Sequence, residues 1–186
     1  MKPNKRRTIR WIIGLSIAGI GTLLVCGSVV LVKYSPKITK YLRSRGTAII
    51  GTIAPDFELS ALNGERIRLS QFAGQPVVLS FNATWCPDCD RAAPLIQKMH
   101  EDHPKLIVLI IDGSESIDVV RKSTEELGYT FPVLLDSDYS VDRQYAISAI
   151  PTVFFIDGNG IIQAKVIETV TAELLEDALP LIGIEP

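Results

Sequence analysis

Cysteine and histidine are scarce in this chain, with three and two among 186 residues. Three cysteines cannot supply the even-numbered framework that staples a small secreted scaffold, so any cysteine chemistry is local. Acid is missing altogether from the first 45 residues, which carry ten of the 19 Lys and Arg. The rest of the chain therefore sets nine bases against 21 acids, a net charge of −12 concealed beneath an overall −2. Internal repeats and low-complexity tracts are absent too, which excludes solenoid and collagen-like architectures. What is present is apolar material: 47% hydrophobic residues against 22% charged, enough to bury a real core.

Charge is also absent from Trp11 to Val32, and as a helix these 22 residues would span about 33 Å, enough for a hydrocarbon core of about 30 Å. A single-pass transmembrane helix is expected over 11–32. It follows a cytoplasmic basic tail, residues 1–10, that holds Lys2, Lys5, Arg6, Arg7 and Arg10. It precedes a basic juxtamembrane linker, residues 33–50. The basic start places the carboxy-terminal domain on the extracytoplasmic side of the cell membrane, where paired cysteines have more to do. Lys33, Lys37, Lys40, Arg43 and Arg45 make the far flank basic as well, so charge counting alone does not set the orientation. A cleaved signal peptide is the competing reading. The apolar stretch exceeds the usual length of about 7–15 residues, and no small-x-small site follows it. Cys26, preceded by the bulky Val25, is read as a membrane-embedded bystander. The basic run from Lys33 to Arg45 suits lipid headgroups, and no nucleic-acid partner is expected.

Residues 51–186 read as one α/β domain after a linker over Thr47–Pro55. Short strands at Phe57–Leu59 and Arg66–Leu69 flank Asn63-Gly64, a tight-hairpin dipeptide. Pro76–Phe81 and Lys105–Ile111 are continuous apolar runs, the pattern of strands buried on both faces. A helix over Cys86–Glu101 joins them in a βαβ unit, which implies a parallel pair. Further along come a helix at Ile117–Leu127, a strand at Pro132–Leu135 and a short helix near Val141–Tyr145. Strands at Thr152–Ile156 and Ile161–Val166 then flank Asp157-Gly158-Asn159-Gly160, and a closing helix capped by Thr171 runs to about Leu179. The sum is a central mixed sheet with helices on both faces.

Trp85-Cys86-Pro87-Asp88-Cys89 stands where the first buried strand ends and the helix begins. The first sulfur lies beside unpaired N–H groups at the positive end of the helix dipole, which favours thiolate and makes Cys86 the expected nucleophile. Cys89, one turn on, is the resolving thiol, expected to be more buried and protonated until it attacks a mixed disulfide. Pro87 suits the first helical turn because the N–H it lacks would be unpaired anyway. Asp88 opposes the thiolate, by about 0.7 kcal/mol at about 6 Å in a water-like dielectric. A zinc site with His100 and His103 is the competing reading, but His100 lies about 15 Å from Cys89 along a helix, so no metal is expected. Both histidines are read as surface residues near a helix end.

The Trp-Cys-Pro-Asp-Cys motif, Pro94 five residues after the second cysteine, and Ile150-Pro151-Thr152 before a late strand together resemble the thioredoxin superfamily. Ala54-Pro55-Asp56-Phe57-Glu58-Leu59, the stretch from Leu69 to Leu79, and Phe131-Pro132-Val133-Leu134-Leu135-Asp136 are similar to membrane-anchored thiol-disulfide oxidoreductases of the TlpA/ResA type. The resemblance covers about residue 51 to the end, and it implies a thioredoxin-like fold with Pro151 as its cis-proline. A cis X-Pro bond would let Ile150 present its backbone to an extended peptide beside the sulfurs, while Pro151 excludes water and metal. Pro94 should kink the helix, or else end it after two turns. Trp85 is either a contact platform or half-buried core. Two departures stand out. Ser80 occupies the place of a buried acid in thioredoxins, and Ala92 that of a Glu in ResA-like proteins, so the proton acceptor for Cys89 is unassigned. Asp88 and Asp90 are near, with Asp88 a possible substitute through water.

The resemblance implies a cofactor-free enzyme exchanging disulfides with protein substrates, as a reductase fed by a thiol-transferring membrane protein and with apocytochrome c as the commonest client. The acidic domain would suit a basic partner. Two alternatives stay open. A peroxiredoxin shares the Ala-Pro-Asp-Phe opening but needs Thr where Ala83 stands, and a redox-inert peptide-binding module would keep the cysteines as a structural disulfide.

Overall fold

The computed structural model describes residues 48–113 and 115–185. The expected membrane span and its basic flanks lie outside the described residues, and no helix among those described is long and apolar enough to cross a membrane. The strands are β1 (Glu58–Ala61), β2 (Arg66–Arg68), β3 (Val77–Asn82), β4 (Ile107–Gly113), β5 (Val133–Asp136), β6 (Thr152–Ile156) and β7 (Ile162–Ile167). The helices are α1 (Pro87–Asp102), α2 (Ile117–Leu127), α3 (Ser140–Gln144) and α4 (Ala172–Ala178), with 3-10 turns at Leu69–Phe72 and Leu179–Ile182.

The seven strands make one sheet in the order β2-β1-β5-β4-β3-β6-β7. Its centre is parallel: β3 pairs with β4 from Val77↔Ile107 to Asn82↔Asp112, and β4 pairs with β5. β6 and β7 run antiparallel on one side, β1 and β2 on the other. Burial on both faces explains why β3 and β4 read as unbroken apolar runs. Pro76 falls just outside β3 because it has no N–H to give the ladder, although its carbonyl accepts Ile107 N–H at 3.1 Å.

The two faces are covered unequally. Ile96 and Met99 of α1, Val120 of α2 and Leu175 of α4 pack with Val78, Val108, Ile110, Val153 and Phe155. On the opposite face the only α-helix contributing to the core, among the described residues, is the short α3, through Val141, helped by Phe57, Leu69 and the fully buried Tyr145. Tyr145 sets its ring against Phe81 and Phe154, with centroids 5.2 and 5.3 Å away, and donates its hydroxyl to Pro55 O at 2.7 Å. The expected linker over residues 47–55 needs correction. Gly51 N–H donates to Ile162 O, Ile162 N–H to Thr52 O and Ala54 N–H to Gly160 O, so this segment pairs along the start of β7. An open sheet edge leaves backbone donors and acceptors unsatisfied, and the segment supplies their partners. The described residues fall within one compact unit.

Candidate active site

The site lies where the parallel strands end, the usual position for function in sheets of this kind. β3 ends at Asn82 beside Asp112 of β4, and a turn over 83–85 delivers the chain to α1. Cys86 is the N-cap of α1, in extended backbone conformation, and its Sγ accepts the N–H of Cys89 at 3.1 Å. A hydrogen bond from an amide to a cap sulfur favours its ionised form. Cys86 and Cys89 are joined as a disulfide, with Cα atoms 5.2 Å apart. Both are buried, 4% and 3% exposed, so the expected greater burial of Cys89 does not hold in this oxidised form. One bond holds both sulfurs in the same enclosure.

Pro87 occupies the first helical turn and is exposed, and α1 continues through Pro94 to Asp102, so that proline does not end the helix. The Ile150–Pro151 bond is cis. Thr152 Oγ1 donates to Ala149 O at 2.7 Å and Glu168 N–H donates to Pro151 O at 2.8 Å, fixing the turn from both ends. Ile150 packs on Ala83, Cys86 and Cys89, and among the described residues its backbone N–H and C=O take no partner. Trp85 is 69% exposed, which removes the half-buried-core reading and leaves a ring on the surface. Asp88, also exposed, is ion-paired with Arg91 one turn on, so its charge acts on a cation as well as on the sulfurs.

Two sequence expectations change. His100 is not a plain surface residue: it is half-buried, its ring stands edge-on to Phe131 at 5.3 Å, and its Nδ1 is buried without a partner. The Thr84 N–H donates to Glu115 Oε2 at 2.6 Å, and Thr84 Oγ1 bonds the other carboxylate oxygen, so Glu115 braces the turn before Trp85.

Sequence reasoning missed Asp112. It is 4% exposed and its Oδ1 has no hydrogen-bond partner. Burial chiefly, then the nearby carboxylates of Glu115 and Asp142, push its carboxyl up to about 7. A signal was present, because the apolar run of β4 ends on an acid while the strand is still buried. Asp112 and Cys89 line one cavity of about 20 Å³ together with Asn82, Tyr129 and apolar side chains of β4 and α2. Tyr129 also has a buried hydroxyl without a partner, and burial pushes it up to about 12. Ser80, at the place of the absent acid, is fully buried and donates to Asn82 Oδ1 at 2.8 Å.

A separate groove of about 230 Å³ is lined by Trp85, Gly113, Tyr139, Asp142, Ile147 and Ile150 among others. Asp142 is pushed up to about 6, by burial first and then by Asp136, whose carboxylate accepts the N–H groups of Val141 and Asp142. A disulfide at a helix start, beside a free stretch of extended backbone, is equipped for exchange with a thiol carried on a peptide.

Comparison with known proteins agrees with this geometry. Residues 50–165 match the AhpC/TSA family. The chain is 33% identical over 140 residues to the thiol-disulfide oxidoreductase ResA of Geobacillus kaustophilus, covering 74% of this chain and 80% of that one. It is 34% identical over 134 residues to ResA of Bacillus subtilis, covering 71% and 75%. Among solved structures, a thiol:disulfide interchange protein DsbE from Chlorobium tepidum superposes with a TM-score of 0.68 at 27% identity, over 73% of this chain and 99% of its own. A buried cysteine pair at the head of a helix, on this sheet and in this company, places the chain in the AhpC/TSA family as a thiol-disulfide oxidoreductase of the ResA/DsbE type.

Proposed function

We propose that this enzyme is held at the outer face of the cytoplasmic membrane by residues 11–32 and reduces disulfides in protein substrates. Cys86 attacks the substrate disulfide and forms a mixed disulfide, and Cys89 then attacks Cys86, closing the pair and releasing the substrate thiol. The observation that carries this assignment of roles is the cap geometry: Cys86 Sγ accepts a backbone N–H at the start of α1, whereas Cys89 lies one turn inside. Trp85, Pro87 and Ile150 offer the contact surface, with cis Pro151 setting the Ile150 backbone for strand-like pairing with an extended peptide. Asp88 tunes the sulfur against the helix terminus. The names of the ResA and DsbE relatives support a disulfide-exchange role, and the acidic domain suits a basic client such as an apocytochrome c segment. Electrons would come from a thiol-transferring membrane protein.

Reduction of insulin or of a cytochrome-derived disulfide peptide by the full chain tests this reading. Cys86→Ser should abolish turnover, and Cys89→Ser should accumulate a mixed disulfide with the peptide. Equal turnover by wild type and both variants would dismiss it. Peroxide consumption measured alongside should be slow, because Ala83 stands where a peroxidase site needs a threonine. The reduction potential settles direction, since about 30 mV changes the two-electron balance tenfold.

A further inference from the structure

We propose that Asp112 accepts the proton of the Cys89 thiol when that thiol resolves the mixed disulfide. The inference rests on the exchange reading above and supplies the step it leaves open. Three observations carry it. Asp112 and Cys89 line the same small cavity, and neither lines the groove. Asp112 Oδ1 is buried and, among the described residues, takes no hydrogen bond, an orphaned acceptor in a place where such atoms are costly. The cavity has room for about one water, and Asn82, Asp112 and Tyr129 offer that water polar partners.

The groups facing Asp112 are Glu115 from the loop before α2, Asp142 from α3, and Tyr129 and Asp90 across the cavity. None of the residues lining the cavity is a Lys or Arg. The surroundings therefore hold the carboxyl near neutrality, where it can both accept and release a proton, which suits general-base work at ordinary pH. In the resolving step the Cys89 S–H bond breaks and its proton passes through the cavity to Asp112. The Cys89 thiolate then bonds to Cys86 Sγ, the bond between Cys86 and the substrate sulfur breaks, and the substrate departs with that electron pair. Two electrons move from the cysteine pair to the substrate, and Asp112 ends protonated. Glu115 is already bonded to Thr84, and Asp88 is paired with Arg91, so neither offers the same free oxygen.

The test separates the two chemical steps in the full chain. Cys86 is loaded with a chromogenic aromatic thiol as a mixed disulfide, and its release reports attack by Cys89. Capture of the same label by Cys86 in Cys89→Ser reports the first step. With Asp112→Asn, release near pH 6–7 should slow by about tenfold or more. The deficit should shrink as pH rises and Cys89 ionises unaided, and capture should stay within about twofold. Asp112→Glu should recover part of the release rate. A release rate and pH profile identical to wild type overturn the proposal while leaving the exchange reading intact, whereas loss of capture strikes at the exchange reading itself. Should Asp112→Asn not fold, carboxyl carbon NMR of the wild-type chain decides. The Asp112 carboxyl should titrate near 7 when oxidised and shift on reduction to the dithiol, and an ordinary carboxylate titration in both redox states overturns the proposal.

Discussion

The two hollows near the Cys86–Cys89 disulfide differ in size and in what they hold. Toward Trp85 and Ile150 lies an open groove with an exposed aromatic ring, apolar walls and a backbone without partners. Beside Cys89 and Tyr129 lies a cavity about a tenth that size, holding an acid with, among the described residues, no hydrogen bond to one of its oxygens. The first arrangement leaves most of its polar groups solvated, the half-buried Asp142 excepted, and on the proposed reading offers a surface on which a peptide docks. The second lowers stability, since a buried carboxyl resists ionisation, and gains a proton acceptor beside a thiol. On the proposed reading, recognition belongs to the groove and proton transfer to the cavity, and each has its own measurable signature.

The largest expected effect is in the cavity. Asp112 has a folded-state value of about 7 against about 3.9 for an unfolded aspartate. Between these values the folded state binds more protons than the unfolded one, so stability falls as pH rises through this window, and the full penalty is present above it. Asp112→Asn removes the ionisable group at nearly constant size. It should stabilise the protein at about pH 8 by on the order of 2 kcal/mol, and by much less at about pH 4.5. Urea unfolding at the two pH values checks this. An equal change at both would show that packing, not charge burial, governs the cavity.

The groove should respond through binding instead. Trp85→Ala removes a ring that contributes contact area at the surface, so KM for a protein disulfide should rise about tenfold with kcat nearly unchanged. Stability should move by no more than about 0.5 kcal/mol, as at an exposed site. The pH dependence of resolution should be that of wild type. If Trp85→Ala altered the pH profile, or Asp112→Asn altered KM alone, the division between the two sides would fail.

How much of this was legible in the sequence follows from which forces act locally. The apolar runs of β3 and β4, the Asp-Gly-Asn-Gly turn and the Thr171 cap are set by neighbours in the chain, and α2 and β6 span the residues expected of them. Thr171 Oγ1 accepts Leu174 N–H at 3.2 Å, the cap its side chain foretells. The cysteine pair was legible because its chemistry comes from a helix start three residues long. Asp112 was not, because its significance arises only when register sets β4 beside β3 and folds α2 and Tyr129 over it. Residues 51–54 looked like linker because a short Gly-Thr-Ile-Ala stretch carries no readable periodicity, and their role as edge cover depends on β7, more than 100 residues away. The unequal covering of the two sheet faces was likewise hidden, since α3 gives a helical pattern without announcing how little area it buries.

The smallest effect belongs to the groove wall next to Asp112. Gly113 follows Asp112 on β4, and a Cβ there would lie 2.7 Å from Tyr139 Cε1 and 3.1 Å from Cδ1. Tyr139 is 44% exposed, so its ring can swing outward rather than force the strand apart. Gly113→Ala should therefore lower stability by about 1 kcal/mol or less, toward the mild end for overpacking. The displaced ring should change the groove, shifting KM by a few fold while leaving the Asp112-dependent release rate alone. In a Tyr139→Ala background the added methyl meets no ring, and both effects should vanish, giving a coupling energy close to the whole cost of the single substitution. A cost that persists without Tyr139 would mean that Gly113 is required by the strand itself, and the groove wall would then be a consequence of β4 rather than of the side chain resting on it.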